Sequence, residues 1–276
     1  MAVKIPLEVA VFSGESILKA QSQGASRVEL NAPNSYHLGG TTPPVSELAR
    51  VAAQVEIPVR IMIRPRGPPP GGEKAQDFIY TRAEVDAMAD SIREFKATGL
   101  MDPCRSDGFV FGLLKASEEP EPEPEPEPAD VAVAVAVAID EENCATLIRL
   151  ARPYGCVFHR AFDPIAATKR ASEGIQTLIS LGFEGVLTAG GLGDCLGNID
   201  RIDHLCHRYA GPLEIVVGGG LRRDNILRPA RVLAHYKDAV WMHTAALSKR
   251  RHRATEEIDS DELVDMVAQM DLVEAA

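Results

Sequence analysis

Side chains able to bind anions or transfer protons cluster in two short motifs of the sequence. One is Ile-Met-Ile-Arg-Pro-Arg-Gly, which places Arg64 and Arg66 directly after an apolar run. The other is Phe-His-Arg-Ala-Phe-Asp, which contains His159 and Asp163. Histidine changes charge near neutral pH and can act as a general acid or base, whereas arginine binds carboxylates and phosphates through two parallel hydrogen bonds. The two motifs therefore indicate a site for a small anionic ligand.

Further candidates lie within or just after other apolar runs. Glu8 and Glu29 are acids inside such runs, His243 ends the last of them, and the turn 218–220 offers backbone N–H groups to an anion. We predict catalytic roles for Glu8, Glu29, His159 and Asp163, and anion-binding roles for Arg64, Arg66, Gly218, Gly219, Gly220 and His243. The residue types alone specify no metal ligand.

Each candidate also has a purely structural interpretation. Glu8, Glu29 and Arg64 could form an ion-pair network between strands, because buried charge must be paired. Arg66 could hold its loop, and His159 could be an ordinary core histidine. Two hypotheses stay open on these residues: an enzyme for a small anionic or phosphorylated metabolite with His159 as acid or base, and a scaffold with a vestigial site.

Strand-like and helix-like segments alternate along the chain and would position these residues. The predicted strands are 7–12, 27–30, 59–64, 108–113, 156–159, 185–188, 213–217 and 239–243. The predicted helices are 16–23, 45–54, 82–97, 141–151, 168–181, 196–209, 224–235 and 261–270. Eight such units in about 250 residues favour a TIM-type (β/α)8 barrel with eight parallel strands, and a doubly wound open sheet is the alternative. In such a barrel the chemistry lies at the carboxyl ends of the strands, where most of the candidates fall.

One crossover contains a segment unlike the rest of the chain. Residues 116–138 hold Glu-Pro repeats followed by a Val-Ala repeat over 131–138. Because proline removes a backbone donor, we predict the Glu-Pro part to be extended, disordered and solvated. The Val-Ala part alternates like a strand but is equally compatible with the start of the next helix. We predict a single barrel domain over 1–276 with a disordered Glu-Pro and Val-Ala insert at about 116–138, either a tolerated surface loop or an interaction tail.

The composition disfavours several classes of protein. The chain has 276 residues and a formal net charge of −11, whereas nucleic-acid binding needs a basic surface. Six acidic residues lie in 118–128, so the excess elsewhere is ordinary for a soluble protein. No apolar run approaches the roughly 18 residues that span a bilayer, and Glu8 interrupts the first one, so we expect neither a membrane partner nor a signal peptide. Five cysteines without a CxxC pair indicate free thiols in the cytoplasm.

The same motifs resemble the CutC family, whose members are named as copper homeostasis proteins. The resemblance runs from about residue 6 to 250 and leaves out the Glu-Pro and Val-Ala insert. Its matching segments include Leu-Glu-Val at 7–9, Gly-Ala-Ser-Arg-Val-Glu-Leu at 24–30, Met-Ile-Arg-Pro-Arg-Gly at 62–67, Phe-His-Arg-Ala-Phe-Asp at 158–163 and the glycines at 218–220. The resemblance implies a (β/α)8 barrel, a cytoplasmic location, a homo-oligomer and a role in copper binding or handling.

The resemblance also bears on the metal. Many CutC proteins have cysteine at the positions of Ala10 and Asn31, so this chain lacks two thiolates of the kind that copper(I) prefers. The soft side chains left near predicted strands are Met62, Met242 and Cys156, and strand alternation turns Cys156 outward. We expect a copper ion or a small anionic ligand as partner, with copper supported by the resemblance and not by the cysteine positions.

Overall fold

Eight of the ten strands form a closed parallel barrel in this computed structural model, which describes residues 5–70, 74–117, 137–247 and 256–273. The strands are β1 (Leu7–Val11), β2 (Arg27–Leu30), β3 (Val59–Met62), β4 (Gly108–Phe111), β5 (Leu114–Ala116), β6 (Val137–Ile139), β7 (Gly155–Phe158), β8 (Gly185–Thr188), β9 (Glu214–Gly218) and β10 (Val240–Thr244). Their order around the barrel is β1-β10-β9-β8-β7-β4-β3-β2. The predicted (β/α)8 barrel is confirmed.

The helices follow the barrel strands along the chain, and four of the described helices begin at a side-chain cap. They are α1 (Gly14–Ser22), α2 (Val45–Ala49), α3 (Arg82–Ala97), α4 (Glu141–Ala151), α5 (Asp163–Ala166), α6 (Ala171–Leu181), α7 (Ile199–Tyr209), α8 (Leu227–Leu233) and α9 (Ser260–Asp271). Thr81 and Glu84 form a capping box at α3, which satisfies backbone donors at the helix start. Within the described residues, no helix combines the length and the apolar character needed to cross a membrane.

One predicted helix has the wrong extent. The prediction of a helix over 45–54 fails because α2 ends at Ala49, and a separate 3-10 turn covers Ala52–Gln54. Between them Val51 leaves the helical conformation, with a φ of −126°. A β-branched side chain has a restricted χ1 in a helix, so valine favours a break at this point.

The barrel interior has two chemically different sides. Five apolar side chains, which we call the apolar wall, pack together: Met62, Val110, Val157, Leu187 and Val216 from β3, β4, β7, β8 and β9. Four polar side chains, which we call the polar wall, come from β1, β2 and β10: Glu8, Arg27, Glu29 and His243. Alternate residues of the same strands pack outward against the helices and form the main core.

The insert leaves the barrel after β4. β5 and β6 pair in antiparallel fashion, with Leu114 opposite Ile139. Val137 and Ala138, the end of the Val-Ala repeat, therefore belong to a strand, and α4 begins only at Glu141. Most of the predicted disordered insert at about 116–138 falls on 118–136, which lie outside the described residues, whereas Ala116 lies in β5 and Val137 and Ala138 lie in β6.

Candidate functional site

The carboxyl ends of the barrel strands surround an open cavity of about 540 Å³. Its apolar lining includes Phe12, Leu38, Phe78, Leu187 and Leu221. Its polar lining includes Glu29, Asn31, His159, Arg160, Asp163, Arg222 and His243. A concave space of this size, with many apolar residues and a few convergent polar groups, is typical of a small-molecule site. We call it the mouth cavity.

Glu8 and His243 are held together by the closure of the barrel. β1 pairs with β10 so that Glu8 lies opposite His243, and 2.7 Å separate Glu8 Oε1 from His243 Nδ1. The other Glu8 oxygen accepts a hydrogen bond from Arg27 Nε. Arg27 also donates to Glu214 at 2.8 Å, and its guanidinium lies 3.8 Å from the centre of the Trp241 ring. A chain of charged contacts thus runs from the mouth cavity towards the amino ends of the strands.

The contacts determine the charges of this pair. Burial by itself would raise the pKa of Glu8, but Arg27 and His243 outweigh it and lower the pKa to about 2. Burial would likewise lower the pKa of His243, but the hydrogen bond to Glu8 and the nearby Glu29 raise it. Glu8 is therefore an ionised carboxylate, and a proton on His243 Nδ1 is directed at it.

Glu29 differs from Glu8 because no cation is hydrogen-bonded to it. Its side chain is buried, and Oε1 accepts a hydrogen bond from Asn31 Nδ2 at 3.1 Å. Oε2 has no hydrogen-bond partner among the described residues. Burial raises the pKa of Glu29, an effect that His243 opposes. A buried carboxylate oxygen without a partner is costly in a folded protein, so Glu29 is the acid best placed to contact a ligand.

Glu8, Glu29 and His243 together form the one group of three ligand-type side chains found in the described parts of the chain. One possible ligand atom from each lies within 4.8 Å of the others. All three residues are candidates from the sequence, but the role predicted there for His243 is anion binding, and its pairing with Glu8 is not predicted. The missing signal is topological, because the first and last strands become neighbours only when a sheet closes into a barrel.

His159 lies across the mouth cavity from this group. Its Nδ1 accepts a hydrogen bond from the backbone N–H of Ala161 at 3.3 Å, so Nε2 carries the proton, and Nε2 has no partner in the described structure. Burial and the nearby Arg64 lower the pKa of His159 to about 3. The expectation that His159 titrates near neutral pH is therefore wrong for the folded protein, and the ring is a neutral hydrogen-bond donor.

A glycine creates the space for this imidazole. A Cβ added to Gly112, at the end of β4, would lie 2.6 Å from His159 Nδ1. Phe78 flanks the ring with its centroid 4.8 Å away. The imidazole is thus held by packing and by its hydrogen bond, which leaves only Nε2 for a ligand.

Arg64 and Arg66 are already engaged by protein groups. Arg64 Nη2 donates to both carboxylate oxygens of Asp77 at 2.8 and 2.9 Å, and Nη1 donates to the carbonyl of Gly40 at 2.8 Å. Arg66 pairs with Glu84 and donates to the carbonyl of Asp77 at 2.9 Å. Both arginines tie together the loop that follows β3. These contacts do not favour the predicted role of the two arginines in anion binding, which stays a prediction.

Asp163 connects two strand ends. Its Oδ1 accepts hydrogen bonds from Thr188 Oγ1 at 2.7 Å and from the Ala189 N–H at 2.8 Å, and Oδ2 accepts one from Arg160 at 2.7 Å. Burial raises the pKa of Asp163, although these donors oppose the shift. With both oxygens occupied, Asp163 is placed to position the loop after β7, and its predicted catalytic role stays a prediction.

The glycine turn after β9 borders the same cavity. Gly219 and Gly220 line it with positive φ values of 116° and 86°, a region that favours glycine. Gly218 packs against the imidazole, since a Cβ there would lie 3.2 Å from His243 Cδ2. The turn therefore shapes the cavity wall, and its binding of an anion stays a prediction.

Comparison with known proteins identifies the family. A family model described as the CutC family matches residues 5–121 and 131–236. The chain belongs to the CutC family. The unmatched interval, 122–130, lies within the Glu-Pro segment, whereas the Val-Ala repeat from 131 onwards belongs to the second matched part, so the expectation that the resemblance leaves out the Val-Ala repeat is wrong.

CutC proteins from distant organisms are similar over most of their length. The mouse and human proteins named copper homeostasis protein cutC homolog are each 34% identical to it, over 88% of this chain and 74% of theirs. A family protein CutC of Treponema denticola is 32% identical over 91% of this chain and 85% of its own. A solved CutC structure from Streptococcus agalactiae, 24% identical, covers 87% of this chain and 98% of its own with a TM-score of 0.65. It supports the barrel fold.

The cysteines of this CutC chain do not supply the mouth cavity with sulfur ligands. Ala10 and Asn31, where the family resemblance implies cysteine, both line the cavity. Of the described residues that line it, Met62 alone carries sulfur. Burial raises the pKa of Cys156 to about 12 and that of Cys195 to about 11, so both thiols are protonated at neutral pH. The donors at the cavity are oxygen and nitrogen, which suit borderline divalent ions better than copper(I).

Proposed function

We propose that the mouth cavity is the active site of an enzyme that acts on a small anionic metabolite bearing a carbonyl or hydroxyl oxygen. One observation carries the proposal: Glu29 Oε2 and His159 Nε2 are buried, have no hydrogen-bond partner among the described residues and belong to residues that line the same cavity. A buried polar atom left unpaired costs about 1–3 kcal/mol. A ligand that accepts a hydrogen bond from His159 and donates one to Glu29 would recover this cost.

The proposed roles follow from the positions of the two groups. Glu29 lies on β2, and His159 directly follows β7. These strands are three positions apart around the barrel, so the two side chains approach a ligand from different sides. The neutral imidazole of His159 would donate to the ligand's oxygen and stabilise negative charge that develops there. This arrangement suits reactions at or next to a carbonyl group.

The cavity rim provides positive charge for an anionic group. Arg160 and Arg222 both line the cavity, and the Arg160 side chain is 44% exposed. Arg160 donates to Asp163 and to the carbonyl of Gly193, and Arg222 donates to the carbonyl of Leu247 and pairs with Glu262 at 3.9 Å. Their remaining N–H groups could bind a carboxylate or phosphate, which makes them better candidates for this role than Arg64 and Arg66.

A ligand screen tests the proposal. Thermal shifts with hydroxy acids, oxo acids and sugar phosphates, followed by calorimetry of the compounds that stabilise the protein, should identify binders. We expect His159→Gln and Glu29→Gln each to weaken binding at least tenfold, and Glu184→Gln at the opposite end of the barrel to leave it unchanged. Turnover of a binder, followed by NMR, would establish an enzyme. The absence of binders, or binding equal in all variants, would contradict the proposal.

Copper handling is a second candidate function, and the names of the mouse and human relatives favour it. Because sulfur ligands are scarce at the cavity, we propose that such a role involves weak copper binding or acts indirectly. Titration of copper(I) against a competing chelator tests this. The expected result is no binding tighter than that of protein whose thiols, including the exposed Cys104, are blocked. Tight binding that needs the thiols would contradict it.

We propose a cytoplasmic location and self-association as the setting of this function. The five cysteines are free in the structure, which agrees with a reducing compartment. Cell fractionation tests the location, and light scattering on the purified full chain tests the oligomeric state. A monomer at micromolar concentration would contradict the proposed homo-oligomer.

A further inference from the structure

We infer that Glu29 and His243 form a binding site for one borderline divalent cation of the Zn²⁺ class at the base of the mouth cavity. The site would use Glu29 Oε2 and His243 Nε2 as its protein ligands. Glu8, one layer deeper, would orient the imidazole. The remaining coordination positions would face the cavity and be open to water or to a ligand oxygen, as catalytic metal sites require.

The geometry of the carboxylates and the imidazole supports this assignment. Possible ligand atoms of Glu8, Glu29 and His243 lie within 4.8 Å of one another, a separation that one metal ion can bridge. Glu29 is only 3% exposed, and its Oε2 has no hydrogen-bond partner in the described residues. Asn31 occupies the other oxygen, at 3.1 Å, and so leaves Oε2 available to a cation.

The Glu8–His243 contact resembles the support that metal-binding histidines usually have. A histidine that binds a metal through one ring nitrogen commonly donates the other N–H to a carboxylate, which fixes the tautomer and the orientation of the ring. Here Nδ1 lies 2.7 Å from Glu8 Oε1, so Nε2 is the nitrogen left for the metal. Arg27 in turn holds the second oxygen of Glu8.

The local balance of positive and negative charges also favours a bound cation next to Glu29. Arg27 lies between Glu8 and Glu214 and contacts both carboxylates, so its positive charge is fully compensated. Glu29 makes no ion pair with Arg27 or any other described residue. A divalent ion at Glu29 and His243 would provide a cationic partner for this buried carboxylate, which has a hydrogen bond from Asn31 on one oxygen and no partner on the other in the described structure.

This inference rests on the proposed function only for the identity of the ligand that would complete the coordination sphere, and with the cation bound the ligand oxygen would contact the cation instead of hydrogen-bonding directly to Glu29 Oε2. The metal can be measured on the full chain without any metabolite. The two ideas therefore fail separately: a protein that binds anions but no metal contradicts only the cation site, and a protein that binds metal but no anion contradicts only the proposed substrate class.

Metal titration of chelator-treated protein is the main test. Calorimetry with Zn²⁺ should show one site per chain, and Glu29→Gln or His243→Gln should weaken it at least tenfold. Glu8→Gln should weaken it between about tenfold and a hundredfold, as for other residues that orient a metal ligand. A double variant of the exposed His204 and His207 on α7, both changed to Gln, serves as the matched control and should retain wild-type affinity.

A spectroscopic readout covers variants that fail to fold. One equivalent of Cu²⁺ added to wild-type protein should give an electron paramagnetic resonance signal with hyperfine coupling to one imidazole nitrogen, and excess Zn²⁺ should remove it. Absence of this coupling would overturn the inference. So would Zn²⁺ affinity that is equal in wild-type protein and in folded Glu29→Gln and His243→Gln variants, or affinity that is lost only in the control.

Discussion

The two walls of the barrel interior are both built from parallel strands. One consists of apolar side chains, and the other consists of charged side chains and a histidine. The apolar wall joins side chains such as Met62, Leu187 and Val216 in one cluster. The polar wall places Glu8, Arg27, Glu29 and His243 at equivalent inward-facing positions of β1, β2 and β10. Both walls are largely buried, so the difference does not reflect exposure to solvent.

The comparison separates residues that stabilise the barrel from residues that are available for chemistry. Burying the apolar wall contributes roughly 25 cal/mol for each Å² removed from water. The polar wall must instead offset desolvation with ion pairs, and it does so for Glu8 and Arg27 but not for Glu29. The unpaired member is the one expected to bind a ligand.

The largest effect is expected from Arg27→Met. This change leaves Glu8 and Glu214 without their common cation, and breaking a buried pair in this way costs about 3–5 kcal/mol. Chemical denaturation measures the free energy of unfolding. Arg82→Met is the control, because Arg82 is exposed and pairs with Asp86 only at the surface; it should change stability by less than about 0.5 kcal/mol. Equal small effects would show that the polar wall is not held by Arg27.

On the apolar wall, Leu187→Ala should cost about 2–5 kcal/mol, because it removes a buried side chain and leaves a cavity. Denaturation experiments under the same conditions allow a direct comparison with Arg27→Met. Val264→Ala on the outer face of α9, where Val264 is 49% exposed, is the matched control and should be nearly neutral. A loss below about 1 kcal/mol for Leu187→Ala would mean that the apolar wall is loosely packed.

A smaller effect concerns the pH dependence of stability. The pKa of His159 is about 3 in the folded protein against a usual 6.5, so below pH 6.5 the unfolded chain binds a proton that the folded protein does not. Stability is therefore lost as pH falls from 6.5 towards 3. Between pH 7 and 5.5 the wild-type protein should lose about 1 kcal/mol more than His159→Gln. Parallel pH dependences for the two proteins would contradict a neutral buried imidazole.

The smallest change in stability is expected from Glu29→Gln. Because no cation is hydrogen-bonded to Glu29, the amide should fold as well as the carboxyl or stabilise the protein by about 1 kcal/mol or less. Thermal denaturation without added metal or ligand measures this. Asp107→Asn is a useful contrast, since buried Asp107 pairs with Arg105 at 2.7 Å and its change should destabilise. Destabilisation by Glu29→Gln beyond about 2 kcal/mol would indicate a structural role.

The candidate site was only partly predictable from the sequence. Glu8 and Glu29 stand out in the sequence because they are acids inside apolar runs. His159 stands out because it is a histidine at the end of a predicted strand. The contacts of these residues could not be predicted, because they join segments far apart in the chain, such as Glu8 and His243. The anion-binding role predicted for Arg64 misses a different kind of contact: Asp77, in the loop that follows β3, accepts hydrogen bonds from its guanidinium, and the conformation of that loop is not readable from a local pattern.

Local pattern alone determined the alternation of strands and helices, since buried parallel strands require nearly continuous apolar runs and crossovers of sufficient length, and the number of units favoured a barrel over a doubly wound open sheet. It also determined which residue types lie at the strand ends. Only the tertiary structure decided which of them are paired and which are not. Closure brings β1 against β10 and so joins Glu8 to His243, while the burial of Glu29 and His159 leaves one atom of each without a partner. Hydrogen bonding and desolvation depend on neighbours in space, and these neighbours exist only once the barrel is closed.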